Sequence, residues 1–363
     1  VPGFRTSYGI TSRVSDPRTG CSLIVSRADA GRVGRSLIRL TDMPHLPTRR
    51  LGQSSLELTT IGLGTWAMGG GGWKFAWGEQ DDNDSIRTIR AAIDAGINWI
   101  DTAAIYGHGR AEEIVGRAIQ GRRHEVIVAT KCGRVWEEGS REIGKRLRRD
   151  SVVAEAENSL RRLRIDVIDL YQIHWPEPEE EIEEGWAAIG ELIQAGKVRY
   201  GGVCNFNVAQ LERVHRIHPV ASLQPPYSML NRSIEDELVP WCDAHGVGIL
   251  AYSPMQAGLL TGAFTRERAL ALPADDWRSR SPYFTEPGLS RNLRIVEQLK
   301  AVAAREGLTV AQLALAWVLR LPEVTSAIAG ARRPEQIHET ARAGTVELSG
   351  EVQAEIEAIL KSD

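Results

Sequence analysis

Four residues combine types and spacings that suit proton transfer: Asp101, Tyr106, Lys131 and His174. Asp101 and Tyr106 share the segment Trp99-Ile100-Asp101-Thr102-Ala103-Ala104-Ile105-Tyr106-Gly107. Lys131 ends the apolar run Val126-Ile127-Val128-Ala129-Thr130, and His174 ends Val167-Ile168-Asp169-Leu170-Tyr171-Gln172-Ile173. A free tyrosine hydroxyl has a pKa of about 10 and is a poor acid near neutrality. An adjacent ammonium favours the phenolate and lowers that value. A carboxylate beside the lysine keeps it protonated and oriented, which is the role expected of Asp101. A histidine hydrogen-bonds a substrate oxygen or relays a proton. Such a centre serves an oxygen that gains or loses negative charge. Carbonyl reduction needs this and needs neither nucleophile nor metal: hydride reaches carbon and a proton reaches oxygen. Singly, each residue has a plainer reading: Asp101 a turn cap, Tyr106 a packed loop aromatic, Lys131 a solvated charge, His174 a core histidine. Jointly, all four fall at ends of predicted strands, which makes the plain readings hard to hold together.

The elements that must position them follow from periodicity. Leu51 to Leu58 reads as a small hairpin, and Ile61-Gly62-Leu63-Gly64-Thr65 as a first strand. A helix over Asp84–Ala95 carries Ile86, Ile89 and Ile93 on one face and stops at Gly96. Strand Asn98–Asp101, helix Ala111–Ile119, strand Val126–Ala129, helix Ser151–Leu163 capped by Ser151, and strand Val167–Ile173 follow. The alternation continues with helix Glu183–Ala195, strand Val198–Val203, helix Ala209–His218, strand Ala221–Gln224, helix Ile234–His245 and strand Val247–Tyr252. A long polar insertion around residues 262–288 precedes helices near 291–306 and 309–320, an eighth strand Thr325–Ala329, a helix from Pro334 and a last helix from Glu351 to about Leu360. Eight strand–helix units without a break in composition imply an α/β fold, a single (β/α)8 TIM barrel with an N-terminal β-hairpin and extra C-terminal helices. The competing doubly wound sheet wants a glycine fingerprint between first strand and first helix. Gly69-Gly70-Gly71-Gly72 stands some 12 residues before Asp84 and reads instead as a flexible loop over the barrel mouth.

The 363 residues carry a net charge of −3, which gives no electrostatic case for nucleic acid or an anionic membrane. No apolar run approaches the ~18 residues of a membrane span. Cys21, Cys132, Cys204 and Cys242 are scattered without C-x-x-C spacing, so neither a metal site nor a disulfide framework is expected, and a reducing cytoplasm is. Residues 1–42 hold seven Arg against three Asp without sustained periodicity. A transit peptide, a disordered arm and translated sequence upstream of Met43 all fit them. A disordered or non-native extension over 1–48, ahead of a barrel over 49–363, is the favoured division.

The same segments resemble the aldo-keto reductase family. Asn98 to Gly107, Ala129-Thr130-Lys131, Asp169 to Pro176 and Gly196 to Phe206 match its signatures in order and spacing across roughly residues 49–345. Gly64 to Gly70 and Leu223-Gln224-Pro225-Pro226-Tyr227 are similar to bacterial NADPH-dependent members of the general-stress-protein type. The resemblance implies a nicotinamide cofactor extended across the C-terminal mouth of the barrel. Gly64, Thr65, Trp66 and Asp101 would line the nicotinamide ribose; Cys204, Asn205 and Gln224 would hold the carboxamide; and Tyr252 would stack on the ring. Ser253, Pro254, Gln256, Gly258 and Leu259 would follow the pyrophosphate. Gly330, Arg332, Gln336 and Glu339 would take the adenosine end. Arg332 and Arg333 suit a 2′-phosphate, favouring NADP(H). Position 204 departs from the family, which usually has Ser there, so one polar contact to the carboxamide is weakened.

The substrate pocket is expected to be aromatic, with Trp66 and Trp175 firmest and Trp73, Trp77 and Trp136 as further candidates beside Tyr106 and His174. Loops 66–82, 133–150 and 255–288 set the substrate. The basic run Lys145, Arg146, Arg148 and Arg149 reads as a solvated loop. The resulting expectation is NADPH-dependent reduction of aldehydes or ketones by a monomer or small homo-oligomer that binds a small carbonyl substrate, no nucleic acid, no membrane and no metal. An NAD-dependent polyol or inositol dehydrogenase is an alternative. So is a nicotinamide-binding regulatory subunit of the same fold, resembling potassium-channel β-subunits.

Overall fold

Short apolar runs that bury both faces can only be satisfied inside a sheet covered by helices. In the computed structural model, which describes residues 45–137, 139–140, 142–273 and 276–362, they close into a barrel. The extension up to residue 44 lies outside the described residues. An antiparallel pair, β1 (Thr48–Arg50) and β2 (Glu57–Thr59), precedes the barrel. The eight parallel strands are β3 (Ile61–Gly64), β4 (Trp99–Asp101), β5 (Ile127–Cys132), β8 (Ile168–Ile173), β9 (Val198–Cys204), β10 (Ser222–Gln224), β11 (Gly248–Ala251) and β12 (Val324–Gly330). Between β5 and β8 a second ribbon pairs β6 (Arg134–Val135) with β7 (Gly144–Lys145).

Helices α1 (Asp82–Asp94), α2 (Arg110–Ala118), α3 (Arg149–Leu163), α4 (Ile182–Gln194), α5 (Val208–His215) and α6 (Leu238–His245) follow successive strands. After β11 come α7 (Arg266–Leu270), α8 (Gly288–Arg305) and α9 (Val310–Val318), and after β12 come α10 (Pro334–Arg342) and α11 (Gly350–Lys361). Their starts show the expected chemistry. Asp81 accepts from the Asp84 amide, and Asn207 and Thr309 form reciprocal caps with Gln210 and Gln312. One expected cap is corrected: Ser151 lies inside α3, which begins after Arg148, and its hydroxyl donates to Glu155. The hairpin also shifts. Leu51 to Leu56 is its connection, and Leu51, Leu56 and Leu58 pack with Trp99, Ala129, Leu170 and Leu250 inside the barrel. A Leu or Ile removed wholly from water contributes roughly 1.5–3 kcal/mol, so this plug anchors the pair better than its three ladder positions do. Leu46 is buried too, and the Thr60 amide donates to Pro47, so the folded body starts before residue 49. The expected polar insertion contains α7 and a 3-10 turn over Trp277–Arg280. Among the described residues no helix is long and apolar enough to cross a membrane, and no cluster of His, Cys, Asp and Glu suits a metal ion.

One carboxylate sits in the packing between α3 and β5. Glu155 is 8% exposed and accepts hydrogen bonds from the Gly133 amide and the Ser151 hydroxyl. Burial pushes its carboxyl from its ordinary range up to about 7, against those hydrogen bonds. The folded state therefore holds a proton that the unfolded chain releases above about pH 4.5. Stability falls as pH rises from there through about 7, by up to about 3 kcal/mol. Glu155→Gln keeps both acceptor and volume, so its melting temperature is expected to lose that slope and exceed the parent's at pH 8. Parallel melting curves across pH for both proteins count against this.

Candidate active site

Side chains alternate across a strand, so residues two apart along a barrel strand share its inner face. Trp99, Ala129, Leu170, Leu250 and Ile328 belong to the interior cluster. One step further toward the C-terminal ends, the same parity brings Asp101, Lys131, Gln172, Tyr252 and Gly330 inward. His174 lies one further step beyond Gln172, immediately after β8, where its amide donates to the Cys132 carbonyl. Tyr106 comes from the turn after β4. That turn packs on the 3-10 helix Trp66–Gly69 because two glycines meet: Gly107 is left-handed, and a Cβ there would lie 2.2 Å from the Gly69 oxygen. The glycine run is thus packed at Gly69, and the Gly70 carbonyl accepts from Trp73 Nε1 at 3.1 Å.

The four expected groups meet. Lys131 Nζ donates to Asp101 Oδ2 at 2.7 Å, to the Thr102 carbonyl at 2.8 Å and to Tyr106 Oη at 3.3 Å. The Lys131 side chain is 0% exposed. Burial acts against its charge, but Asp101 and Tyr106 more than restore it, so its pKa lies above the ordinary lysine value. Gln224 Nε2 donates to Asp101 Oδ1 at 2.8 Å, and the Thr65 hydroxyl donates to the Asp101 carbonyl at 3.1 Å. The Tyr106 ring lies 5.8 Å from that of His174, edge-on, and 6.3 and 6.2 Å from Trp66 and Trp73. Burial pushes the Tyr106 hydroxyl up to about 12; Lys131 pulls it down but is outweighed. The net shift is therefore opposite to that expected from the lysine alone. Burial, then the cations Lys131 and Arg134, hold His174 well below its ordinary value, so its ring is neutral.

A cavity of about 940 Å³ opens over this group and reaches the loop after β12. Of the positions singled out from the sequence, Gly64, Trp66, Asn205, Tyr252, Ser253, Pro254, Gly258, Gly330, Arg332, Gln336 and Glu339 line it, and so does Trp175. Four expected positions lie behind the wall. Thr65 and Cys204 are buried, Gln256 accepts from the Ser228 hydroxyl at 2.7 Å, and Leu259 packs with Phe264, Phe284 and Leu289. Gln256 has φ 46° and Ala257 φ 50°, so this stretch coils through the left-handed region, and Met255, Ala257 and Gly258 line the cavity while Gln256 does not. Burial pushes the Cys204 thiol up, which keeps it neutral beside Lys131 and Asp101. Asn205 donates to the His174 carbonyl at 3.0 Å and accepts from the Tyr252 hydroxyl at 2.9 Å, tying three strand ends together. Trp73 and Trp77 line the cavity; Trp136 instead stacks on His108, 5.3 Å between ring centres.

Arg332 is engaged within the protein. Its Nε donates to Gln80 Oε1 at 2.7 Å, and its Nη atoms donate to the Trp77 and Glu79 carbonyls. Gln80 Nε2 returns a bond to the Arg332 carbonyl at 3.1 Å. Arg332 thus fastens loop 66–82, while exposed Arg333 lines the cavity beside it. From the insertion, Trp277 stacks at 6.2 Å on Trp66, and Arg278 lies 4.8 Å from the Trp77 ring centre. Arg134, Arg268 and Arg278 also line the cavity and were not anticipated. Arg134 had a legible signal, two residues beyond the end of β5; the insertion arginines had none.

The cavity thus runs from the Asp101, Tyr106, Lys131 and His174 group to Arg332 and Arg333 after β12, with left-handed backbone at Ser253, Ala257 and Gly258 along its wall. Residues 60–361 match the Aldo/keto reductase family. The chain is 40% identical over 315 residues to "Aldo-keto reductase YhdN" of Bacillus subtilis (strain 168), covering 86% of this chain and 93% of the relative. It is 38% identical over 312 residues to the "NADH-specific methylglyoxal reductase" of Escherichia coli (strain K12), covering 82% and 94%. The solved structure of the glycerol dehydrogenase AKR11B4 from Gluconobacter oxydans superposes with a TM-score of 0.80 at 38% identity, covering 87% of this chain and 95% of that one.

Proposed function

The chain belongs to the aldo/keto reductase family of oxidoreductases, and from that premise we propose that it reduces aldehydes or ketones to alcohols with NADPH, Tyr106 donating the proton. One observation carries this reading: Lys131 Nζ bonds both Asp101 and Tyr106 Oη at the floor of the cavity, beside His174. The nicotinamide, when bound, supplies the hydride. Tyr106 stays protonated through and beyond neutral pH, ready to give its proton to the carbonyl oxygen as that oxygen becomes basic. The buried Lys131 charge, held by Asp101, stabilises the phenolate left behind. Neutral His174 hydrogen-bonds and orients the carbonyl oxygen rather than acting as an imidazolium acid. A panel of aldehydes and ketones, followed by NADPH absorbance, tests the reading; consumption of none of them contradicts it.

The preference for NADPH rests on Arg333. Arg332 spends its guanidinium on loop 66–82, whereas Arg333 is exposed at the same end of the cavity. A charge-assisted hydrogen bond contributes roughly 1.5–3 kcal/mol, so Arg333→Ala is expected to raise KM for NADPH about 10- to 100-fold. KM for NADH stays within about twofold. Equal losses with both cofactors would count against Arg333 as the 2′-phosphate ligand. An NADH-linked reaction is the second reading, including oxidation of a polyol. The commitment of Arg332 and the likeness to the NADH-specific methylglyoxal reductase of Escherichia coli favour it. The ratio of affinities for NADPH and NADH separates the two.

A further inference from the structure

Arg134 and Lys145 are directly paired across the β6–β7 ribbon. Like charges opposite one another in a ribbon repel. Both point to a single oxygen: Arg134 Nη2 lies 2.5 Å and Lys145 Nζ 3.1 Å from Glu177 Oε2. Two cations therefore share one carboxylate, and all three line the wall of the cavity. Lys74, exposed on loop 66–82, adds a third cation to that lining. Arg134 is not a surface charge: its side chain is 13% exposed, and its guanidinium sits 5.7 Å from the ring centre of Trp175, the residue after His174. Its field reaches the carbonyl position, since Arg134 is among the groups that hold His174 neutral. No hydrogen bond or ion pair ties Arg134 or Lys145 to Asp101, Tyr106 or Lys131. Lys131 is already neutralised by Asp101.

We propose that the substrate of this site is an aldehyde or ketone bearing a carboxylate away from its carbonyl, seated on Arg134 and Lys145 while Trp73 and Trp175 flank its body. This rests on the carbonyl-reductase reading above and narrows it to a substrate class. The planar guanidinium matches a carboxylate, and its partial burial makes the contact stronger than one at the open surface. Glu177 acts as the competing anion, so it sets how much of the positive charge the substrate meets. Arg134 is thereby a specificity-determining residue for the reaction.

The test compares 4-carboxybenzaldehyde with methyl 4-formylbenzoate, which has the same ring and aldehyde but no charge. Each is assayed with NADPH and with NADH. The expected kcat/KM ratio of acid to ester is at least tenfold in the parent protein at low ionic strength, shrinking as salt is added. Arg134→Gln is expected to bring that ratio near one, and Glu177→Gln to raise it further. A purely structural role for the ribbon does not move the ratio in opposite directions. A parent ratio within twofold of one, or a ratio that neither variant moves, overturns the proposal while leaving the carbonyl-reductase reading intact. If neither compound is reduced with either cofactor, the reductase reading itself falls, and this proposal with it.

Discussion

Tyr106→Phe is expected to lower kcat for carbonyl reduction by about 10²- to 10⁴-fold, the range a positioned general acid supplies. The variant loses one oxygen and nothing else that the fold uses. Its ring keeps the packing against Trp66, Trp73 and His174, and Lys131 retains Asp101 and the Thr102 carbonyl. Cofactor affinity and melting temperature should therefore stay close to the parent's, which separates a lost proton donor from a damaged site. The pH profile adds a check. A hydroxyl raised to about 12 stays protonated well past neutrality, and His174 is neutral throughout that range. The reduction rate is thus expected to show no histidine limb between pH 6 and 8, whereas a limb there would mean that His174 carries the proton.

Lys131→Met should harm both activity and stability. It removes the cation and leaves the Asp101 carboxylate buried, with Gln224 as its remaining side-chain partner. Breaking a buried ion pair on one side costs about 3–5 kcal/mol, because the other charge stays behind. The double variant Lys131→Met with Asp101→Asn removes that stranded charge, so it is expected to recover most of the lost stability and none of the lost turnover. The cycle thereby splits two roles of one residue. A single variant that melts with the parent, or a double variant that regains activity, would show that the pair does not work as described.

Of the four expected groups, Asp101 and Lys131 were legible from a simple rule, whereas Tyr106, on the turn after β4, and His174, after a run that includes Asp169 and Gln172, were legible from residue type and position. An ionisable residue directly after a wholly apolar run has nowhere to go but the open end of the barrel, and parity along β4 and β5 turns Asp101 and Lys131 inward. Asn205, Gln224 and Tyr252 rest on the family resemblance instead, because the parity rule alone does not single them out. Both fail where the backbone leaves regular structure. Gln256 and Leu259 were expected at the cavity from the family resemblance, yet Gln256 bonds Ser228 and Leu259 packs with Phe264, Phe284 and Leu289. Trp136 follows β6 and stacks on His108, a contact that no periodicity encodes. The basic run Lys145, Arg146, Arg148 and Arg149 is exposed, as a solvated loop should be, but its partners were not legible: Lys145 faces Glu177, while Arg148 and Arg149 pair with Glu181 and Glu191. Those partners lie some 30 to 40 residues away and become neighbours only when β8 is laid beside β5. Tyr106 shows the limit in energetic terms. The lowering by Lys131 was readable from residue types, whereas the larger opposing effect of burial depends on Trp66 and Trp73 closing over the ring.

Product formation measured beside cofactor consumption tests the central claim most directly. With NADPH and an aldehyde that the parent protein turns over, one alcohol is predicted for each cofactor oxidised, and essentially none from Tyr106→Phe with the same cofactor bound. Alcohol formed at the parent rate by Tyr106→Phe would contradict the account.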